Sequence, residues 1–147
     1  MDKLDETDLK ILNLLRDDAR ISAKTIAEKV FISAPTVASR IEAMKKAGVI
    51  KGYYTEINPY IFGDYLKAYI DMEVSPQKKE ELYEYLRSSS KVVECSRVTG
   101  DYSLLMEVLL KNTEDLDKFI NSLQHYGRTK TQIVFSTIVD HRGGILS

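Results

Sequence analysis

A single cysteine stands among the 147 residues, and no apolar run approaches the ~18 residues needed to span a bilayer. One thiol excludes an internal disulfide, and Cys95 lies in the strand-like run VVECSRV, where a buried core thiol is expected rather than a nucleophile. The acidic opening MDKLDETD lacks a basic segment followed by an apolar one, so no secretory signal is read there and a soluble cytoplasmic protein is expected, with no membrane partner. There is no C-x-x-C, H-x-x-x-H, G-x-S-x-G or phosphate-cradling glycine loop, which leaves thiol redox, zinc, serine-hydrolase and nucleotide chemistry without carriers. No cofactor or metal is expected. The two histidines, His125 and His141, fall near a helix end and near the end of the sequence, without a catalytic constellation, and Glu80-Glu81 reads as solvated helix surface.

The charge is small in sum but uneven in place. The formal net charge is −1, yet residues 20–52 carry seven basic residues against two acidic, while the chain from Glu56 onward carries eleven basic against fourteen acidic. A basic segment joined to a mildly acidic one implies two jobs. With 44% hydrophobic residues, the chain has material for one ordinary core or two small ones.

Three helical patterns open the chain. Ile11, Leu12 and Leu15 form an apolar stripe behind Asp5, Glu6 and Asp8, whose charges suit a helix N-terminus. Ser22 is placed to cap a short second helix with Ile26, Ala27 and Val30 inward. Ser33 caps a third, with Pro35 in its first turn, Val37, Ile41 and Met44 inward, and Gly48 as its stop. Residues 53–64 read as a hinge strand and linker. Beyond them Leu66, Ala68, Ile70, Met72 and Val74 alternate with polar neighbours, as in a strand with one buried face. A helix bearing Leu82 and Leu86, a strand over Val92–Val98, a strand over Leu104–Leu110, a helix bearing Leu116, Phe119, Ile120 and Leu123, and a strand in TQIVFSTIV follow. The order βαββαβ is that of the ferredoxin-like split βαβ sandwich, with both helices on one face of a four-stranded sheet. The expected fold class is therefore α+β: a winged-type helix-turn-helix domain of three helices over 1–52, and a ferredoxin-like domain over 65–147. Because Leu104–Leu110 is apolar on both alternations, the sheet face away from the helices needs a cover, either a second copy in a homodimer or the linker.

Helix, short turn and basic capped helix form the helix-turn-helix arrangement. With Val37, Ile41 and Met44 turned inward, Thr36, Ser39, Arg40 and Ala43 project outward. Arg40 suits bidentate donation to guanine, Ser39 and Thr36 suit base edges or phosphates, and Ala43 permits close approach. Arg20, Lys24, Lys45, Lys46 and Lys51 suit phosphate neutralisation on double-stranded DNA. A plain three-helix bundle with a solvated charged face is the bland alternative. Between the second and third strands, Thr99-Gly100-Asp101-Tyr102-Ser103 has ordinary turn chemistry.

The stretches LDETDLKIL, RISA, SAPTVASRI and GVIKGY, in that order and separation, resemble the N-terminal module of the Lrp/AsnC (feast/famine) transcription regulators. The C-terminal half resembles that family's sensing domain, including a Gly-Asp-Tyr turn, so the likeness covers essentially the whole chain. The resemblance implies a sequence-specific regulator that dimerises through the sensing domain, assembles further into octamers or similar rings, and accepts a free amino acid as effector. It assigns Ser33 and Pro35 to the DNA-binding helix. It assigns Thr99, Gly100, Asp101, Tyr102 and Ser103 to the effector loop, with Ser136 and Thr137 of the last strand as polar contributors. Backbone N–H groups at Gly100 and Asp101 suit a carboxylate, and a carboxylate side chain suits an ammonium.

Two departures stand out. Ser103 occupies a place where the family commonly has a second acid, a loss of about 1.5–3 kcal/mol for a buried charge-assisted bond, which leaves the effector different, weakly bound or absent. Phe31 occupies the helix-turn-helix position commonly held by glycine, where it is expected to anchor between helices. Two alternatives remain at this stage: an architectural DNA-compacting protein without effector, and an enzyme organised like the sirohaem decarboxylases.

Overall fold

The computed structural model describes residues 4–63 and 65–141. They divide into two compact units, one running to Glu56 and joined by the segment from Asp140, the other Ile57–Val139. Each has its own apolar core.

The first unit holds α1 (Glu6–Asp17), α2 (Ala23–Val30) and α3 (Ala34–Lys46). All three begin on a side-chain cap, which supplies an acceptor to a backbone N–H that the helix itself leaves unpaired. Asp5 and Asp8 cap α1 reciprocally, Ser22 accepts from Thr25 N–H at 3.0 Å, and Ser33 accepts from Thr36 N–H at 3.2 Å. Ile11, Ile26, Val37 and Met44 are fully buried where the three helices meet. Beyond Gly48 the chain bends at Val49-Ile50, whose N–H groups both donate to Met44 O, and no strand pairing follows among the described residues of this unit.

Phe31 corrects one expectation. It is the C-cap of α2 at φ 59°, ψ 41°, and its ring is 92% exposed, so it anchors nothing. A side chain in the left-handed region costs about 1–2 kcal/mol, and here no burial offsets it. Glycine would relieve that strain but would add unfolded-state entropy. Phe31→Gly is therefore expected to stabilise the N-terminal unit by about 0.5–1 kcal/mol, read as a raised urea midpoint at unchanged slope. A lowered midpoint would refute it.

The second unit is a four-stranded antiparallel sheet in the order β2-β3-β1-β4, built from β1 (Leu66–Met72), β2 (Val92–Arg97), β3 (Leu104–Leu110) and β4 (Thr129–Ile133). Helices α4 (Lys79–Ser88) and α5 (Thr113–Gln124) cover one face, burying Leu82, Leu86, Leu116, Phe119 and Leu123 against Ala68, Ile70, Met72, Met106 and Val108. Tyr85 Oη and Ser122 Oγ, 2.7 Å apart, link the two helices. This is the α+β ferredoxin-like arrangement. The opposite face presents Lys67, Tyr69 and Asp71 of β1 beside Leu109, Glu107 and Leu105 of β3, with Lys67 Nζ 3.0 Å from Glu107 Oε1.

Three further expectations need correcting. Cys95 is exposed on the edge strand β2 and is not a core residue, although partial burial still pushes its thiol pKa up. The last strand ends at Ile133, well short of the run to Val139 read from the sequence. The reason is register: Ile133 pairs with Ala68 and Val134 N–H donates to Lys67 O, so β4 has almost reached the start of β1 and has no neighbour left. Ser136 and Thr137 accordingly lie beyond the strand.

Candidate DNA interface and effector loop

The outward face of α3 is assembled by its cap and its core contacts. Val37 and Met44 are buried, which fixes the rotation of the helix and leaves Pro35, Thr36, Ser39 and Ala43 exposed. Ser33 Oγ lies 2.7 Å from Thr36 Oγ1, so the two hydroxyls form a pair at the N-terminal end of that face. Lys24, Lys46, Lys51 and Arg20 are exposed. Lys45 is engaged differently: its Nζ is 2.9 Å from Glu42 Oε1, which raises its pKa, and 5.8 Å from the centre of the Tyr53 ring.

Arg40 departs from the role read in the sequence. Its Nη1 lies 2.6 Å from Asp5 Oδ2 and 2.8 Å from Asp8 Oδ1, the two carboxylates that cap α1. Each carboxylate gives its other oxygen to the partner's backbone, Asp5 Oδ1 accepting from Asp8 N–H at 2.7 Å and Asp8 Oδ2 from Asp5 N–H at 3.1 Å. All four oxygens are thus used, and Asp8 is buried. Its hydrogen bonds to Asp8 and then to Asp5 hold the guanidinium further in its charged form. Arg40 ties α3 to the start of α1.

The TGDYS loop is closed by Val98 N–H donating to Ser103 O at 3.0 Å and is tied to β1 by Ser103 N–H donating to Met72 O at 3.1 Å. Gly100 sits at φ +116°, a conformation that side chains rarely adopt, which gives a reason for glycine at this position. Thr99, Gly100, Asp101 and Ser103 are exposed, and among the described residues Asp101 has no ion-pair partner and the backbone N–H groups of Gly100 and Asp101 make no hydrogen bond. Tyr102 is half-buried, with the Arg128 guanidinium 5.4 Å from its ring centre, and Arg128 Nη2 is 3.2 Å from Glu73 Oε2. Neither Arg128 nor Glu73 was singled out in the sequence, where the only signal is the Gly127-Arg128 pair at the entry to β4.

Ser136 and Thr137 do not join this loop within one chain. Ser103 adjoins the Met72 end of the sheet, whereas β4 runs from Thr129 opposite Met72 to Ile133 opposite Ala68 and carries the two residues away. Among the described residues no cluster of histidine, cysteine and carboxylate side chains is arranged to hold a metal, and no helix is long and apolar enough to cross a membrane.

Comparison with known proteins agrees with this division. Residues 4–51 match the winged helix-turn-helix DNA-binding family, and residues 67–143 match the Lrp/AsnC ligand binding domain. The HTH-type transcriptional regulator Ptr1 of Methanocaldococcus jannaschii is 33% identical over 93% of this chain and 95% of its own. The solved structure of Bacillus subtilis LrpC is 27% identical with a TM-score of 0.88, covering 95% of this chain and 99% of that one. A Neisseria meningitidis regulator solved in complex with L-Met shares the fold at a TM-score of 0.89 and 23% identity, covering 97% of this chain and 96% of that one. The chain belongs to the Lrp/AsnC family of helix-turn-helix transcriptional regulators.

Proposed function

We propose that this regulator reads a two-fold related DNA site in the cytoplasm through the 1–52 domain and responds to a free amino acid at the 99–103 loop. The 65–147 domain, joined through 53–64, dimerises it, and dimers assemble further toward an octamer. The observation that carries the reading is the exposed Thr36–Ser39–Ala43 face of α3, small and polar, between buried Val37 and Met44. Such a face approaches the major groove closely, while Lys24, Lys46, Lys51 and Arg20 supply affinity that carries no sequence information. The sheet face bearing Leu105 and Leu109 supports pairing with a second copy. Linked modules raise the effective concentration that a single weakly basic module lacks.

Footprinting on the DNA upstream of its own gene tests the first half. Discrete protected sites that survive excess competitor DNA are expected, with Thr36→Ala and Ser39→Ala relaxing the preference several-fold and Lys46→Ala weakening all sequences alike. Sequence-blind coating that grows with DNA length would instead make the protein an architectural one.

The loop is tested by melting. Asp101 is free to receive an α-ammonium and the Gly100 and Asp101 N–H groups to receive the carboxylate, so one chemical class among the twenty amino acids is expected to raise the melting temperature. Asp101→Ala removes that rise while leaving the unliganded melting temperature within about 2 °C, because exposed positions contribute little stability. No rise with any amino acid would overturn the effector reading. We further propose that the protein has no catalytic activity of its own; a Soret band in the purified protein would revive the sirohaem-decarboxylase alternative.

A further inference from the structure

A cleft of about 200 Å³ opens on the helix side of the sheet edge, lined by Tyr83, Leu86 and Arg87 of α4, Cys95 and Arg97 of β2, and Leu104 of β3. Its floor is apolar, with Leu86 and Leu104 buried. Its rim is cationic. The Arg87 guanidinium carbon lies 5.9 Å from the centre of the Tyr83 ring, and Lys79 Nζ lies 5.6 Å from the same ring. Among the described residues, Lys79, Arg87 and Arg97 make no ion pair, and none of the residues lining the cleft is acidic. Burial and then the neighbouring Glu94 carboxylate push the Cys95 thiol up, so the thiol itself brings no negative charge there.

Unpaired guanidinium groups beside a small dry floor select for a ligand that is anionic at one end and hydrocarbon at the other. An α-ammonium group would enter beside Arg87 and Arg97 with no carboxylate among the lining residues to receive it, Glu94 being the neighbouring acid outside the lining, so a zwitterionic amino acid is disfavoured. Inorganic phosphate would satisfy the arginines and leave the leucine floor unused. We propose that this cleft binds a short monocarboxylate without an amino group, such as a branched 2-oxo acid, its carboxylate held by Arg87 and Arg97 and its apolar body resting on Leu86 and Leu104. The site is separate from the 99–103 loop yet lies at its root: Arg97 immediately precedes Val98, whose N–H closes the loop, and Leu104 immediately follows Ser103. A ligand here reports to the same loop through different residues, and the proposal stands whether or not the loop takes an amino acid.

Calorimetric titration of the full chain with 3-methyl-2-oxobutanoate, L-valine and inorganic phosphate tests it. Saturable binding of the 2-oxo acid at one site per chain is expected, weakened at least tenfold by Arg97→Gln and by Arg87→Gln and unchanged by Asp101→Ala. Both arginines are exposed, so the variants keep the parent melting temperature, which is measured alongside. L-Valine is expected to bind this site at least tenfold more weakly; any L-valine binding that survives Arg97→Gln and disappears with Asp101→Ala belongs to the loop and leaves the proposal standing. Absence of saturable 2-oxo acid binding, arginine variants that bind it like the parent, or phosphate competing on equal terms would overturn it.

Discussion

Arg40→Ala is expected to destabilise the N-terminal unit by about 2 kcal/mol and to weaken binding to every DNA sequence alike. The cost comes from what is left behind. Asp8 is 4% exposed, and without the guanidinium 2.8 Å away one of its carboxylate oxygens has neither protein partner nor easy access to water. For a unit of this size the loss corresponds to a melting temperature lowered by roughly 10 °C. The DNA effect is indirect: the ion pair is the contact that fixes α3 against the start of α1, so its loss loosens the helix that carries Thr36 and Ser39. A base-reading arginine would behave in the opposite way, with stability intact and specificity relaxed at one base pair. The double variant Arg40→Ala with Asp8→Asn is expected to lose less than the sum of the two single variants, because the neutral amide no longer needs the cation. Acid provides an independent check. The Asp5 carboxyl is held below its ordinary 3.8, first by the Asp8 backbone N–H and then by Arg40. A depressed carboxylate pKa contributes stability that is present above the unfolded value and is lost as pH falls through the folded one. Stability is therefore expected to fall below about pH 4, and less steeply in Arg40→Ala, where only the backbone bond persists.

What was legible in the sequence was what local periodicity and caps encode. Ser22 and Ser33 start their helices as read, because a cap is decided within four residues. Ala68, Ile70 and Met72 are buried on one face because alternation is a property of the strand itself. Apart from Phe31, whose exposure goes with its own left-handed backbone, what the sequence did not show depends on a partner elsewhere. An arginine on the outer half of a helix has the same spacing whether it faces DNA or reaches back to an acid, and Asp5 and Asp8 lie more than thirty residues away in the chain. The apolar alternation of TQIVFSTIV continues past Ile133, but strand length is set by the neighbour, and β1 begins at Leu66. Cys95 sits among apolar residues yet occupies an edge strand, a position that only the strand order reveals. The LDETD signature did contain the clue to Arg40: two acids three apart at a helix start offer four oxygens, and backbone caps use only two of them.

Gly127→Ala is expected to cost the C-terminal unit about 3 kcal/mol, lowering its melting temperature by more than about 10 °C. A Cβ at this position would collide with the Glu73 carbonyl oxygen and lie 2.9 Å from its carbon and 3.3 Å from Val74 Cα. These are backbone atoms, so no rotamer change relieves the clash, and the local backbone is held by Glu73 N–H donating to Arg128 O at 2.9 Å. Relief requires the exit of β1 to part from the entry of β4. The damage reaches the loop by a short route: Arg128, the next residue, pairs with Glu73 and lies over the Tyr102 ring. Any amino-acid-induced rise in melting temperature is therefore expected to shrink in this variant beyond what lost stability alone explains. Arg128→Gln separates the two effects, since it removes the cation from Tyr102 while keeping Gly127 and the backbone bond, and is expected to leave stability within about 0.5 kcal/mol because the pair it breaks is exposed. A Gly127→Ala protein that melts with the parent would refute this prediction.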